Sequence, residues 1–277
     1  MFAKDDLRNY LNKEVDVETF CRGLSYSGQR HENGYFHYTM WDNLVSMSQP
    51  VPVRLIDGTM DQRRLFLLTP PTRKNDKAEA DLDPGSYYAS FSYGPSEKVR
   101  MWALYGKCSP NAIRIEISKD EMLRWYSRLR NVFIQDVQGC FCERDALEQK
   151  DLFDIGYYSQ AEVNGRKESF VVHRHANYNV NPFPKELSGA NRKYAPYFKK
   201  DGWQDENEVR LLMKLVRGQA EKGQKVAIDF GDVLDWVLAK PDRRIIRSPW
   251  FGQKSIGGVD LADCRKSDYK GELDFTR

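Results

Sequence analysis

Glu206-Asn207-Glu208-Val209-Arg210-Leu211-Leu212-Met213-Lys214-Leu215 is the stretch on which both the fold and the chemistry of this chain turn. Side chains along a β-strand alternate between its two faces, so Val209, Leu211, Met213 and Leu215 share one apolar face. Glu206, Glu208 and Arg210 then share the other, where they can line a cleft and where a carboxylate is a candidate for chemistry. The same Glu-x-Glu-x-Arg alternation also describes an ordinary solvated sheet face. What separates the two is the company the stretch keeps.

Upstream, Ile113, Ile115 and Ile117 alternate with Arg114 and Glu116 as a half-buried strand, and Ser118 with Glu121 forms a capping box that opens the next helix. Tyr35 to Thr39 is aromatic and β-branched and reads as a strand. Thr39 is placed to cap a short helix with Asp42 in its first turn and Trp41, Leu44 and Val45 at helical spacing, ending before Pro50. Tyr88 to Ser92 alternates so that Ser90 and Ser92 project from one strand face. Ser96 is placed to cap a helix running to about Gly106, with Val99, Trp102 and Ala103 on one side. Arg64 to Thr69 is a strand stopped by Pro70-Pro71, and the loop through Pro84-Gly85 carries Asn75, Asp76 and Glu79. That loop is long enough to act as a lid.

Beyond residue 130, Asn131 to Phe141, Ile155 to Ala161 and Lys225 to Phe230 join Glu208 to Leu215 as strands, with a helical piece near Tyr194 to Lys200. The expected class is strand-rich α+β. The first 30 residues are polar with a weak helical pattern, so the core is expected to begin near Tyr35, and the last ~20 residues are polar as well. This divides the chain into a helical, polar extension over residues 1–34, a main domain over 35–240, and a C-terminal extension over 241–277 that packs on the domain or trails from it.

The chain has 277 residues, of which 40% are hydrophobic and 13% aromatic, enough to build a sizeable core. It contains no long apolar run, so neither a secretory signal nor a membrane span is expected, and a cytoplasmic location is the default. Five scattered cysteines point to reduced thiols rather than a disulfide framework. Cys140-x-Cys142 and His173-x-His175 together offer four metal ligands, but their spacing is that of no known finger or knuckle, and no metal is expected. With a net charge of +3, bulk charge alone does not predict nucleic-acid binding, and any polyanion site must be a local patch. Local basic and aromatic stretches remain: Arg192-Lys193-Tyr194, Tyr197-Phe198-Lys199-Lys200, and Arg243-Arg244 to Arg247. They could hold phosphates and stack bases, or be solvated helix lysines.

Phe36-His37-Tyr38-Thr39 with Asn43-Leu44, then Asn75-Asp76 and Glu79, Ser90-Phe91-Ser92, Met101-Trp102-Ala103-Leu104-Tyr105-Gly106, and Trp203 with Glu206, Glu208 and Arg210, form an ordered set over residues 35–240. The set resembles an uncharacterised bacterial domain family, which in turn is similar to the ADP-ribosyltransferase superfamily. The resemblance implies split antiparallel β-sheets with flanking helices that grip NAD in a bent form. It implies that His37 hydrogen-bonds the adenosine-side ribose and that Glu208 contacts the 2′-hydroxyl of the nicotinamide ribose. The position between them is open: Tyr105 could stack on nicotinamide, or Ser90 and Ser92 could stand for a Ser-x-Ser element.

By the same likeness Tyr38, Thr39 and Trp102 belong to the NAD site. Asn75 and Asp76 belong to a loop that closes over it, although Asn-Asp is also an ordinary turn. Breaking the nicotinamide glycosidic bond builds positive charge on the ribose, as in glycoside cleavage, and a fixed carboxylate stabilises that charge. Glu206 could then orient or activate an acceptor, and Arg210 could keep both carboxylates ionised or clamp a phosphate. The expected function is an NAD-dependent ADP-ribosyltransferase of the toxin or phage-defence kind, acting on RNA, DNA or protein and restrained by an antitoxin or chaperone. An NAD glycohydrolase and a non-catalytic nucleotide or nucleic-acid binding module are the alternatives.

Overall fold

The computed structural model describes residues 16–70, 85–94, 98–106, 112–163, 166–173, 176–178, 189–221, 223–231, 237–240, 255–256, 259–260 and 265–266. Glu208–Leu215 forms as a strand and pairs antiparallel with Ser86–Ser92 on one side and Leu147–Asp154 on the other. These three belong to a seven-stranded sheet in the order Arg265–Lys266, Val237–Lys240, Ala112–Ile117, Tyr35–Met40, Ser86–Ser92, Glu208–Leu215, Leu147–Asp154. A six-stranded sheet runs Met60–Arg63, Val51–Arg54, Phe141–Arg144, Val132–Gln135, Val226–Asp229, Leu65–Leu67. A four-stranded sheet holds Ala176–Tyr178, Arg166–His173, Gly156–Val163 and Phe198–Lys200. The architecture is α+β. Its sheets are mixed, since Val51–Arg54 runs parallel to Phe141–Arg144 and Phe198–Lys200 parallel to Gly156–Val163.

Both faces of the Glu208 strand are covered. Val209, Leu211, Met213 and Leu215 pack with Phe91, Ile113, Ile115, Phe66, Ile134 and Ile228, the core shared by the two larger sheets. Leu212, on the other face, joins a second core built from Phe20, Leu24, Tyr88, Phe153, Tyr157 and Phe198. That second core corrects the expectation that packing begins near Tyr35. The helix Val17–Gly28, capped by the Asp16 carboxylate accepting from the Thr19 amide at 2.9 Å, contributes Phe20, Cys21 and Leu24 to it. Behind the helix, Asp154 accepts from Ser27 Oγ at 2.6 Å and meets His31 Nε2 at 2.5 Å, tying this end to the sheet edge.

Gly28 sits where the helix crosses the Leu147–Asp154 strand. A Cβ there would collide with the Phe153 backbone and stand 2.7 Å from the Asp154 nitrogen. Backbone cannot swing aside as a side-chain tip does, so Gly28→Ala is expected to destabilise the fold by about 1–3 kcal/mol, the range for overpacking. Urea melts of the two proteins check this; equal midpoints would mean that the helix does not seat on the strand as described.

Several local expectations shift. Trp41–Ser48 is helical, but its N-cap is Met40, and Thr39 Oγ1 instead accepts from Asn43 Nδ2 at 2.9 Å. The next helix is Val99–Tyr105 with Lys98 as N-cap; Ser96 lies outside the described residues. Ser118 does cap Lys119–Arg128, accepting from the Glu121 amide at 3.2 Å. The Asn131 to Phe141 candidate is two strands, Val132–Gln135 and Phe141–Arg144, with Gly139 at φ 87° in the turn between them. The helical piece near Tyr194 to Lys200 is a 3₁₀ helix, Gly189–Tyr197, followed by a strand from Phe198. Past residue 240, Arg265–Lys266 adds to the edge of the large sheet by pairing with Ala239 and Lys240. No helix among the described residues is long and apolar enough to cross a membrane.

Candidate active-site cleft

A cleft of about 510 Å³ opens where the large sheet meets strand Leu65–Leu67 and the segment from Lys199 to Glu206. His37, Ser90, Tyr105, Glu206, Glu208 and Arg210 line it, from five separate elements. Tyr38 and Thr39 line it too, next to His37 on strand Tyr35–Met40.

Glu208 opens its strand and is 4% exposed, which rules out the solvated sheet face. Its Oε1 accepts from Arg210 Nε at 2.6 Å and Ser90 Oγ at 2.7 Å; its Oε2 accepts from Lys199 Nζ at 3.0 Å and Arg210 Nη2 at 3.3 Å. Burial alone would raise the pKa of this carboxyl. The charges of Arg210 and Lys199, with the hydrogen bonds from Arg210 and Ser90, overcome burial and hold it well below the ordinary carboxylate range. Glu208 is therefore an anion across the neutral range. Arg210 also donates from Nη1 to the Pro196 carbonyl at 2.9 Å, which with its two bonds to Glu208 fixes the guanidinium and orients the carboxylate.

Glu206 reaches the cleft by another route than the alternation implies. It ends the 3₁₀ helix Asp201–Glu206, and Asn207 follows in the left-handed region at φ 44°, ψ 59°. Asparagine tolerates that conformation better than most residues. The turn swings Glu206 out of strand register and still delivers its Oε2 to Lys199 Nζ at 2.6 Å. Both glutamates thus converge on one ammonium. Burial works against the charge on Lys199, but Glu208 and then Glu206 more than offset it and raise its pKa. The ammonium also lies 4.7 Å from the centre of the Trp203 ring.

Ser90 and Tyr105, rivals for one position in the sequence, both belong to the cleft. Ser90 donates to Glu208, and Tyr105 donates its hydroxyl to Glu206 Oε1 at 3.1 Å. Burial, then Glu208 and Glu206, push the Tyr105 phenol far above its usual range, so it stays a donor. His37 donates from Nδ1 to the Ser90 carbonyl at 2.9 Å, which leaves Nε2 as the acceptor of a neutral ring. Burial lowers its pKa and so favours that neutral form. Phe66 and Phe91 flank the ring, with centroids at 5.1 and 5.6 Å.

Two residues expected in the site are packed behind it. Ser92 is 1% exposed, with its hydroxyl 3.5 Å from the Phe36 carbonyl, and Trp102 is 2% exposed, edge-on to Tyr38 at 5.0 Å. They shape the wall rather than line the cleft. Asn75, Asp76 and Glu79 lie outside the described residues, as do His175 and Arg243 to Arg247. The basic and aromatic stretches are no stacking platform where they are described. Tyr194, Tyr197 and Phe198 are buried in the second core, and Lys199 faces the glutamates.

The helix Val99–Tyr105 is strapped to the Glu206 turn. Lys98 Nζ donates to the Asp205 carbonyl at 3.0 Å, and Arg100 donates to the Asp205 carboxylate at 3.0 Å and the Gly202 carbonyl at 3.1 Å. Burial pushes the Lys98 pKa down to about 8 despite Asp205 and Glu206 nearby. Lys199 is the charged residue of the cleft whose place between the glutamates residue order did not indicate. It looks like any lysine in a basic stretch, and only the parallel pairing of Phe198–Lys200 with Gly156–Val163 brings it under Glu208. Comparison with known proteins gave no match: no family model, no curated protein and no solved structure aligns with this chain.

Proposed function

We propose that the cleft binds NAD and that this chain is an NAD-dependent ADP-ribosyltransferase. The observation that carries this reading is Glu208: a buried carboxylate held ionised by Arg210 and Lys199 in the same cleft as His37. Cleavage of the nicotinamide bond needs an anion beside the sugar carbon that becomes positive. A preoriented one lowers the barrier by about 3 kcal/mol.

In this mechanism Glu208 accepts the 2′-hydroxyl of the nicotinamide ribose and stabilises the developing cation. Lys199 is shared between two carboxylates and lies closer to Glu206, at 2.6 Å against 3.0 Å, so it withdraws onto Glu206 as the ribose takes its place at Glu208. His37 accepts a ribose hydroxyl at Nε2, and the neighbouring aromatic rings of Phe36 and Tyr105 supply an apolar wall for the nicotinamide. Nicotinamide leaves with the bonding electrons, and the acceptor nucleophile adds to the ribose carbon with Glu206 as its base. Toxin or phage-defence roles and a restraining antitoxin belong to the same proposal.

The test is NAD labelled in its adenylate half, incubated with the full chain and separate RNA, DNA and protein pools. Release of nicotinamide with label fixed to one pool supports the transferase; release with free ADP-ribose alone makes it a glycohydrolase. NAD binding without release leaves a binding module and overturns the proposal. Glu206→Gln is expected to cut label transfer at least about a hundredfold while nicotinamide release persists, the loss typical of a removed general base. Equal loss of both would take Glu206 off the acceptor.

A further inference from the structure

The turn between strands Val132–Gln135 and Phe141–Arg144 carries Asp136 and Cys140, and Cys142 follows in the second strand; none of the three lines the cleft. The turn orders all three. The Asp136 amide donates to the Cys140 carbonyl at 2.8 Å, the Gly139 amide donates back to Asp136 at 3.1 Å, and Gly139 takes φ 87° to close the loop. Asp136 Oδ1 accepts from the Gln138 and Cys140 amides, both at 2.9 Å, which fixes the carboxylate. Its other oxygen, Oδ2, stands 3.7 Å from Cys142 Sγ.

The carboxylate oxygen and the two sulfurs all lie within 4.8 Å of one another. A tetrahedral zinc ion with bonds of about 2.3 Å to sulfur and 2.0 Å to oxygen has sulfur–oxygen edges of about 3.5 Å and sulfur–sulfur edges of about 3.8 Å. The Asp136 to Cys142 separation already has that length. We infer that Asp136, Cys140 and Cys142 form a binding site for a thiophilic divalent cation of the zinc kind. This ligand set differs from the pairing of these cysteines with His173 and His175, because the third ligand, Asp136, comes from the same hairpin. Two thiolates and a carboxylate around a dication leave one surplus negative charge. Arg54, abreast of Cys142 on the adjoining strand, acts electrostatically on both Asp136 and Cys142 and balances it. Cys142 is 3% exposed, and Cys140 and Asp136 are half-buried, so the site is partly shielded from water.

The experiment uses the full chain, reduced and stripped with a chelator, titrated with zinc against a chromophoric competitor and separately with cobalt. One equivalent of zinc bound more tightly than about 1 μM, with a thiolate-to-cobalt charge-transfer band in the near ultraviolet, is expected. Asp136→Asn keeps the oxygen that accepts from the two amides but replaces Oδ2 with an NH₂ group, and is expected to weaken binding at least about tenfold. Cys140→Ser, at the half-buried position, is expected to lose most of the cobalt band while circular dichroism stays unchanged. No stoichiometric binding by the reduced chain would overturn the site. A full cobalt band in the Cys140→Ser, Cys142→Ser double variant would also overturn it, by placing the metal on other cysteines.

Discussion

Glu208→Gln is expected to lower nicotinamide release from NAD at least about a hundredfold, the loss seen when one preoriented electrostatic group is removed from a dry site. The substitution nearly keeps the shape of the side chain and removes its charge. It also leaves Arg210 and Lys199 facing an amide whose NH₂ cannot accept from either, so some stability goes with the activity. The two effects separate experimentally. NAD affinity and the urea midpoint are measured beside turnover, under conditions where both proteins are folded. A folded variant that binds NAD and does not cleave it places Glu208 at the reacting sugar. A folded variant with full turnover removes Glu208 from the mechanism, whatever its stability.

Arg210→Met is expected to destabilise the fold by about 3–5 kcal/mol at neutral pH, the usual result of stripping one partner from a buried ion pair. Methionine restores much of the volume and none of the three donors that Arg210 directs at Glu208 and Pro196. The pH dependence identifies the cause. In the native protein the Glu208 pKa lies below its unfolded value of 4.5, so its ionisation stabilises the fold fully above that pH. That stabilisation is lost progressively as the pH falls below 4.5. Without Arg210, burial is opposed only by the Lys199 charge and the Ser90 hydrogen bond, so the carboxyl loses part of that pH-dependent stabilisation. The stability gap between the two proteins should therefore be widest near pH 7 and narrow by pH 3. Denaturant melts at both values read it directly; a gap that does not change would mean that Arg210 acts through packing alone.

Both tests rest on four side chains whose charges cancel as two pairs. Glu206 and Glu208 share Lys199, and Glu208 also pairs with Arg210. Such a set is stable only while every member is satisfied. Ser90, Tyr105 and the Pro196 carbonyl supply further hydrogen bonds. In the proposed mechanism, moving Lys199 onto Glu206 would keep that condition, because the ribose hydroxyl would replace the ammonium as the donor to Glu208.

The strands Glu208–Leu215 and Ala112–Ile117 and the Ser118 cap were legible from residue order, because their evidence is local: a period of two, or a hydroxyl three residues before the amide it accepts from. Leu147–Asp154 was not legible as a strand. Its charged residues look solvated, yet Lys150 donates to the Tyr126 and Leu129 carbonyls, Asp151 accepts from Ser25 and Tyr197, and Asp154 meets His31. Those partners come from distant parts of the chain. The carboxylates at 206 and 208 and the hydroxyl at 90 could be named as candidates from strand alternation, whereas the histidine at 37 and the hydroxyl at 105 entered through the family resemblance. That Glu206 leaves the strand through a left-handed Asn207, that Ser92 and Trp102 turn inward, and that Lys199 joins two glutamates arise from long-range packing. Periodicity encodes which face a residue occupies; whether that face meets water, a second core or an opposite charge depends on segments far away in the chain.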